Sequence, residues 1–231
     1  MLVRQSTARG LSLVELLVGI AIGLFILAGA TLTVTGQLSN NRRLLADTQL
    51  QQDLRVAADI ITHDVRRAGY TGAAYLSVWP TAAAPGLVNA YAAMTPESAV
   101  NAVHQVTYGV SKALNPGQEN NVLNDDEVSG VRWNDTDKTL EIQLGLNNWQ
   151  SLTDPNSMKV TRFEVAIDGR DQDVPCAQTC PAVGPGGCPL KVTTRDLDFV
   201  VVAQSAIDAT VTRILRWSVR PRNDVVREVC P

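Results

Sequence analysis

Histidine is nearly absent from this chain, with two among 231 residues, His63 and His104. A histidine-based zinc or catalytic centre would need more, and the sequence contains no HExxH pair and no GxSxG elbow. His63 stands directly before Asp64, and adjacent positions do not share a helix face, so the pair reads as a solvated or core-edge feature. A P-loop is missing too: "GPGGCPLK" has the glycines and a lysine but lacks the GK[ST] ending. Positive charge is not in excess. The formal net charge is −3. Without residues 1–10, which carry Arg4 and Arg9, there are 18 basic and 23 acidic residues, which argues against the basic face that nucleic-acid binding requires. Asp125, Asp126 and Glu127, and the stretch "DGRDQD" at 168–173, lack the spacing of an EF-hand and read as acidic turn tips. No cofactor, metal site or enzymatic activity is expected. No proline occurs before Pro80, and no cysteine before Cys176.

The N-terminus carries the strongest signal. From Leu11 to Gly36 there are 26 residues and a single charge, Glu15. As a helix at ~1.5 Å per residue this segment would span about 39 Å, more than the ~30 Å hydrocarbon core of a bilayer. A secretory signal peptide fits poorly, because its apolar region would run about 7–15 residues and would precede a small-residue cleavage site. Here the basic residues and Gly10 come first. A plain single-span anchor leaves Glu15 unexplained, since a charge at the centre of a membrane helix costs about 2.5–3.5 kcal/mol on insertion scales. Gly19 and Gly23 form GxxxG, with Ala21, Ala28, Gly29 and Ala30 nearby. Small residues let helix backbones approach closely, although glycine is also common in membrane helices generally.

Beyond Gln37 the sequence predicts continuation of the same helix. Leu50, Leu54, Ala57, Ile61, Val65 and Ala68 recur at steps of three and four, as one helical stripe. The other face carries Arg55, Asp59, His63, Arg66 and Arg67, and Gly69 stands where a C-terminal cap glycine belongs. A single helix from Leu11 to Ala68 would be about 87 Å long; the alternative is two helices broken near Gly36. Residues 70–103 read as a long connecting loop with one short helical turn, in which Trp79 and Tyr91 are packing anchors. Strand signals follow. "TLEIQLGL" alternates at Leu140, Ile142, Leu144 and Leu146; "RFEVAI" at Phe163, Val165 and Ile167; "ATVTRILRWSVRP" at Leu215, Trp217 and Val219. "DLDFVVVAQS" is a continuous apolar run, as in a central strand, and weaker candidates lie near 104–110 and 127–133. The fold class is α+β: a long N-terminal helix whose amphipathic half covers one face of an antiparallel sheet of four to six strands.

Gly10, Leu11, Ser12, Leu13, Val14, Glu15, Leu16 and Leu17 resemble the class III leader of type IV prepilins, with Leu11 standing where phenylalanine is commonest. The resemblance implies cleavage between Gly10 and Leu11 by a membrane prepilin peptidase, N-methylation of Leu11, and pairing of Glu15 with a subunit's N-terminal amine. The physics agrees, because a buried carboxylate is tolerable when an ammonium neutralises it. Major pilins usually carry a proline midway along this segment, and here there is none. "QQDLRVAADIITHDVRRAGYTG" is similar to the stretch that ends the first helix of PilW-type minor pilins, and "RILRWSVRPRND" to their closing strand, here with Arg222 and Asn223. The implied organisation is a cleaved leader (1–10), a membrane or filament-core half-helix (11–36), an amphipathic half-helix (37–69), a loop (70–103) and a globular head (104–231). The implied role is a non-catalytic minor pilin that primes type IV pilus assembly near the tip. Its partners would be prepilin peptidase, other minor pilins and the major pilin. It would sit in the inner membrane with its head in the periplasm before entering the pilus. A minor pseudopilin of a type II secretion system and a tip adhesin are the alternatives.

Outside the cytoplasm Cys176, Cys180, Cys188 and Cys230 read as two disulfides. Three connectivities are possible, and in each Cys230 pairs with one of the other three. Each bridge would contribute about 2–4 kcal/mol. A four-cysteine zinc site is the rival, but the C-x3-C-x7-C spacing lacks the CxxC pairs of zinc ribbons.

Overall fold

A computed structural model describes residues 12–76, 88–113, 115–176 and 189–227. The chain divides into two compact units, the first ending at Leu45 and the second beginning at Ala46. Helix α1 runs from Leu13 to Val65 and passes through Gly36 without a break, so the two-helix alternative does not hold. Ten strands follow: β1 (Met94–Thr95), β2 (Ala99–Val103), β3 (Gln105–Gly109), β4 (Val128–Asn134), β5 (Thr139–Leu144), β6 (Trp149–Ser151), β7 (Met158–Val174), β8 (Leu190–Ser205), β9 (Thr212–Val219) and β10 (Val225–Arg227). Every pairing is antiparallel.

The strands make two five-stranded sheets rather than the single sheet of four to six expected. One has the order β1-β3-β4-β5-β6; the other runs β2-β7-β8, with β9 and β10 sharing the far edge of β8. β8 can serve both because β10 takes only Lys191–Thr193, leaving Leu197–Gln204 for β9. Part of the predicted loop is also strand, since β1 and β2 fall inside 70–103. These strands are short and carry no apolar alternation that a sequence reading could detect.

The expected helical stripe is the core. Leu50, Leu54, Ala57, Ile61, Val65 and Ala68 are all buried and pack with Val106, Val131 and Leu140 of the first sheet. From the second sheet they meet Phe163, Val165, Ile167, Leu197, Phe199, Val201 and Val219. Burying each of these side chains other than the alanines stabilises by about 1.5–3 kcal/mol. Leu215 and Trp217 pack at the margin of this core, with Trp217 stacked on Phe199 at 5.0 Å between centroids.

β5 departs from expectation. Leu140 is buried, but Leu144 and Leu146 are 55% and 50% exposed, while Glu141 and Gln143 on the opposite face are buried. The core reaches only one end of this strand. Its polar face is covered by Arg132, whose Nε lies 2.6 Å from a Glu141 oxygen and whose guanidinium sits 4.3 Å over the Trp149 ring. On its other side β4 approaches β3 closely at Gly130, where a Cβ would fall 2.7 Å from the Val106 carbonyl oxygen.

The "DGRDQD" stretch is not a turn tip. Residues 168–173 are strand, paired with β8 from Asp196 back to Lys191. All six are exposed on this ribbon, so no buried alternation marks it as strand.

Candidate assembly interface

Up to Gly36 α1 presents an almost wholly apolar, unburied surface, with Leu13 73% and Phe25 82% exposed. A stretch of this helix is long and apolar enough to cross a membrane. Its three threonines satisfy their hydroxyls locally. The hydroxyls of Thr31, Thr33 and Thr35 donate to the carbonyls of Leu27, Gly29 and Thr31 at 2.8, 3.0 and 2.8 Å, which removes the cost of carrying a free hydroxyl into an apolar medium. Gly19 and Gly23 lie four residues apart on one face, and a Cβ added at either would meet nothing within 4 Å. They form a shallow facet open to another helix.

Glu15 sits in the first turn of α1, exposed like its neighbours. A carboxylate is favoured there by the helix dipole. Gly10 and Leu11, the expected cleavage and methylation positions, lie outside the described residues, so the geometry of a Glu15–amine contact is not on view. Of the cysteines, Cys176 follows β7 and is disulfide-bonded; Cys180, Cys188 and Cys230 lie outside the described residues, as does Trp79.

In the second unit the end of α1 is held by residues from distant parts of the chain. Gly69 adopts φ +75, the left-handed cap conformation that glycine takes without strain. The Arg222 N–H donates to the Arg66 carbonyl at 3.1 Å, and the Gly69 N–H to the Gly109 carbonyl at 2.9 Å. Asn223 Nδ2 donates to the Ala68 carbonyl at 3.1 Å, and Asn89 Nδ2 to the Gly69 carbonyl at 2.8 Å. The last carbonyls of α1 are met locally, Thr62, Asp64 and Val65 accepting from the N–H groups of Arg66, Arg67 and Ala68, and the carbonyls of the turn that follows are taken up by the closing segment and the loop. One turn earlier, the buried Tyr108 hydroxyl donates to Asp64 Oδ2 at 2.7 Å. Burial raises the Asp64 carboxyl above its ordinary range, against the opposing effects of this hydrogen bond and of Arg67.

The loop beside this junction is latched by Glu119. Its oxygens accept from the Tyr91 hydroxyl (2.9 Å), the Asn121 N–H (2.8 Å), the Gly72 N–H (2.8 Å), Thr71 Oγ1 (3.2 Å) and Ser111 Oγ (2.7 Å). Burial acts to raise this carboxyl, but hydrogen bonds from Ser111, Asn121, Gly72 and Tyr91 outweigh it and hold it down to about 2. Tyr91 is fully buried, the packing anchor it was expected to be. Glu127 does not point outward with Asp125 and Asp126. It is buried and caps its own turn, accepting from the Asn124 and Lys112 N–H groups at 3.0 Å each. Among the described residues no three His, Cys, Asp or Glu side chains converge as metal ligands. His63 and His104 are exposed, and His104 Nδ1 lies 2.6 Å from the Phe163 carbonyl oxygen. The latch was missed in the sequence because a lone glutamate in a polar loop gives no periodic signal. Asn223 was in view only as part of the closing "RPRND".

Two family models match this chain. Residues 5–31 match the prokaryotic N-terminal methylation motif, and residues 43–221, more than three quarters of the chain, match prepilin peptidase-dependent protein B. The chain belongs to the prepilin peptidase-dependent protein B family. It is therefore a type IV pilin-like prepilin with a class III leader, a substrate of prepilin peptidase and a subunit of pilin-type assembly. The exposed apolar half of α1 is its membrane anchor. No curated protein and no solved structure matches it. The ends of the two stretches that resemble PilW-type minor pilins, "RRAGY" and "RPRND", meet in space just after α1.

Proposed function

We propose that this chain is a PilW-type minor pilin that joins other minor pilins in priming type IV pilus assembly near the filament tip. The observation that carries the proposal is Glu15, the one charge on a 26-residue apolar segment, at the start of a helix whose apolar surface is left uncovered. Such a surface is a liability to a soluble protein and an asset to one that moves from bilayer to filament core. On this reading cleavage after Gly10 frees the Leu11 amine, the amine is methylated, and Glu15 of one subunit pairs with the amine of another. That contact sets the axial register, since any other alignment leaves a carboxylate unpaired in an apolar surround. The head lies in the periplasm before assembly, and the cysteines staple the C-terminus to the 176–188 loop as two disulfides.

Intact mass and N-terminal sequence, measured with and without co-expressed prepilin peptidase, test the first step. A peptidase-dependent N-terminus at Leu11 is expected, and an unprocessed chain would reduce Glu15 to an odd residue in an ordinary anchor. Glu15→Ala tests the second: processing stays intact while recovery in sheared pili drops at least several-fold. Equal recovery of mutant and wild type would refute the pairing role.

A further inference from the structure

The second sheet keeps two open edges of opposite charge. Beyond Ile167, β7 has no strand on the side away from β8 among the described residues, because β2 reaches only Val165 and Ile167. This edge, Asp168–Val174, carries Asp168, Asp171 and Asp173 against Arg170 alone. On the opposite side of the sheet the outer edge of β9 is likewise unpaired among the described residues. It carries Arg213 and Arg216 with no acidic residue, and Arg220 follows directly. Arg213 is engaged by Asp47; Arg216 and Asp173 are exposed and make no ion pair among the described residues, although Arg216 acts on Glu164 at longer range and Asp173 stands opposite Lys191 in the register.

An unpaired strand is a row of free N–H and C=O groups ready to pair with another chain. The two stretches are matched in length, at seven and eight residues. Pairing either edge with its own kind would set like charges opposite each other, which destabilises a sheet, whereas pairing one with the other sets opposite charges together. We propose that the β9 edge of one copy of this chain pairs with the 168–174 edge of β7 in a second copy, so that the sheet continues from subunit to subunit.

The geometry fixes the form of the joint. β7 and β9 both run antiparallel to β8, so they are parallel to each other, and a joint that keeps the helix-covered faces on one side is parallel. β9 lies against β8 residues 197–204 and the open part of β7 against residues 190–196. Successive copies therefore step along the strand direction by about seven residues, or ~23 Å. A contact that uses different surfaces on its two sides closes into a ring only when its rotation closes without a net step; with the step along the strands it propagates. The inference rests on the filament-subunit reading only for where the copies meet; the association itself is independent of leader processing.

The test is sedimentation velocity of the full chain in detergent micelles, over a range of protein and salt concentrations. Wild type is expected to give a salt-weakened series of growing oligomers. Arg216→Glu and Asp173→Lys, each alone, put like charges at every joint and raise the dissociation constant about tenfold; far-UV circular dichroism checks that both variants keep their fold. Mixing the two variants restores association, because wild-type joints then alternate with charge-swapped ones. A wild type that stays monomeric overturns the proposal. So do oligomers indifferent to both variants, as contacts through the apolar helix would be, or a dimer that the mixture fails to restore. Cleavage by prepilin peptidase, measured separately, is untouched by any of these results.

Discussion

Replacing Glu119 with glutamine should destabilise the head by an amount that depends on pH in a defined way. The carboxylate accepts from five donors, and its titration point moves from 4.5 in the unfolded chain to about 2 in the fold. At 1.36 kcal/mol per unit that difference sets a ceiling of about 3 kcal/mol. The side chain is only half-buried, so solvent screens part of this and the expected loss is ~1–2 kcal/mol at neutral pH. Glutamine keeps the shape but offers one acceptor oxygen where two served, and it turns an NH2 toward groups that are themselves donors.

The sign follows from linkage. A carboxyl whose folded value is depressed contributes its full stabilisation above the unfolded value and loses it as pH falls through the folded one. Wild type and Glu119→Gln should therefore differ most above pH 4.5 and converge as pH approaches about 2, where a protonated glutamate is nearly isosteric with glutamine. Urea unfolding of the full chain in micelles, followed by tryptophan fluorescence, reads this directly. With a slope of about 1–3 kcal/mol per molar urea, the midpoint shift at pH 7 is about 0.5–1 M. A gap that stays constant from pH 7 to pH 2.5 would refute the argument, because the loss would then come from packing and not from the charge.

Ile61→Ala should cost about 2–5 kcal/mol in the same unfolding assay, since Ile61 is 1% exposed and contacts both sheets through the common core; a loss under 1 kcal/mol would mean that α1 is not clamped there. Asn223→Ala removes the donor to the Ala68 carbonyl and should cost about 1 kcal/mol. Hydrogen exchange should quicken at residues 66–70 while β7 and β8 stay protected, and uniform quickening would argue against a local cap.

α1 was legible almost residue by residue because both of its halves use strong codes. An unbroken apolar run needs no periodicity to declare a membrane segment, and the steps of three and four from Leu50 to Ala68 are the period of a helix with one dry face. β7, β8 and β9 were legible where one face is buried, at Phe163, Val165 and Ile167 and at Leu215, Trp217 and Val219. Legibility failed wherever that condition lapsed. In the 168–173 ribbon every residue is wet, so backbone pairing alone makes the strand. In β5 the alternation is present, but the core covers only Leu140, and the polar face is buried by an arginine that the sequence cannot place. The division into two sheets depends on β1 and β2, too short to show a pattern.

The leader and the junction encode function by different routes, and that difference explains what each reading could reach. Gly10 to Leu17 is legible as linear sequence, because the signal lies in residue types at fixed positions. It needs no fold to be recognised. The α1 cap works the other way. Arg66 and Ala68 are bound by Arg222 and Asn223, more than 150 residues apart in the chain, and neither stretch has a meaning until the sheet has carried the C-terminal segment back to the helix. Within the head α1 is held along its length by the buried stripe from Leu50 to Val65, and at its end by the turn that follows it. Hydrogen bonds from the closing segment place a second attachment there besides the covalent chain.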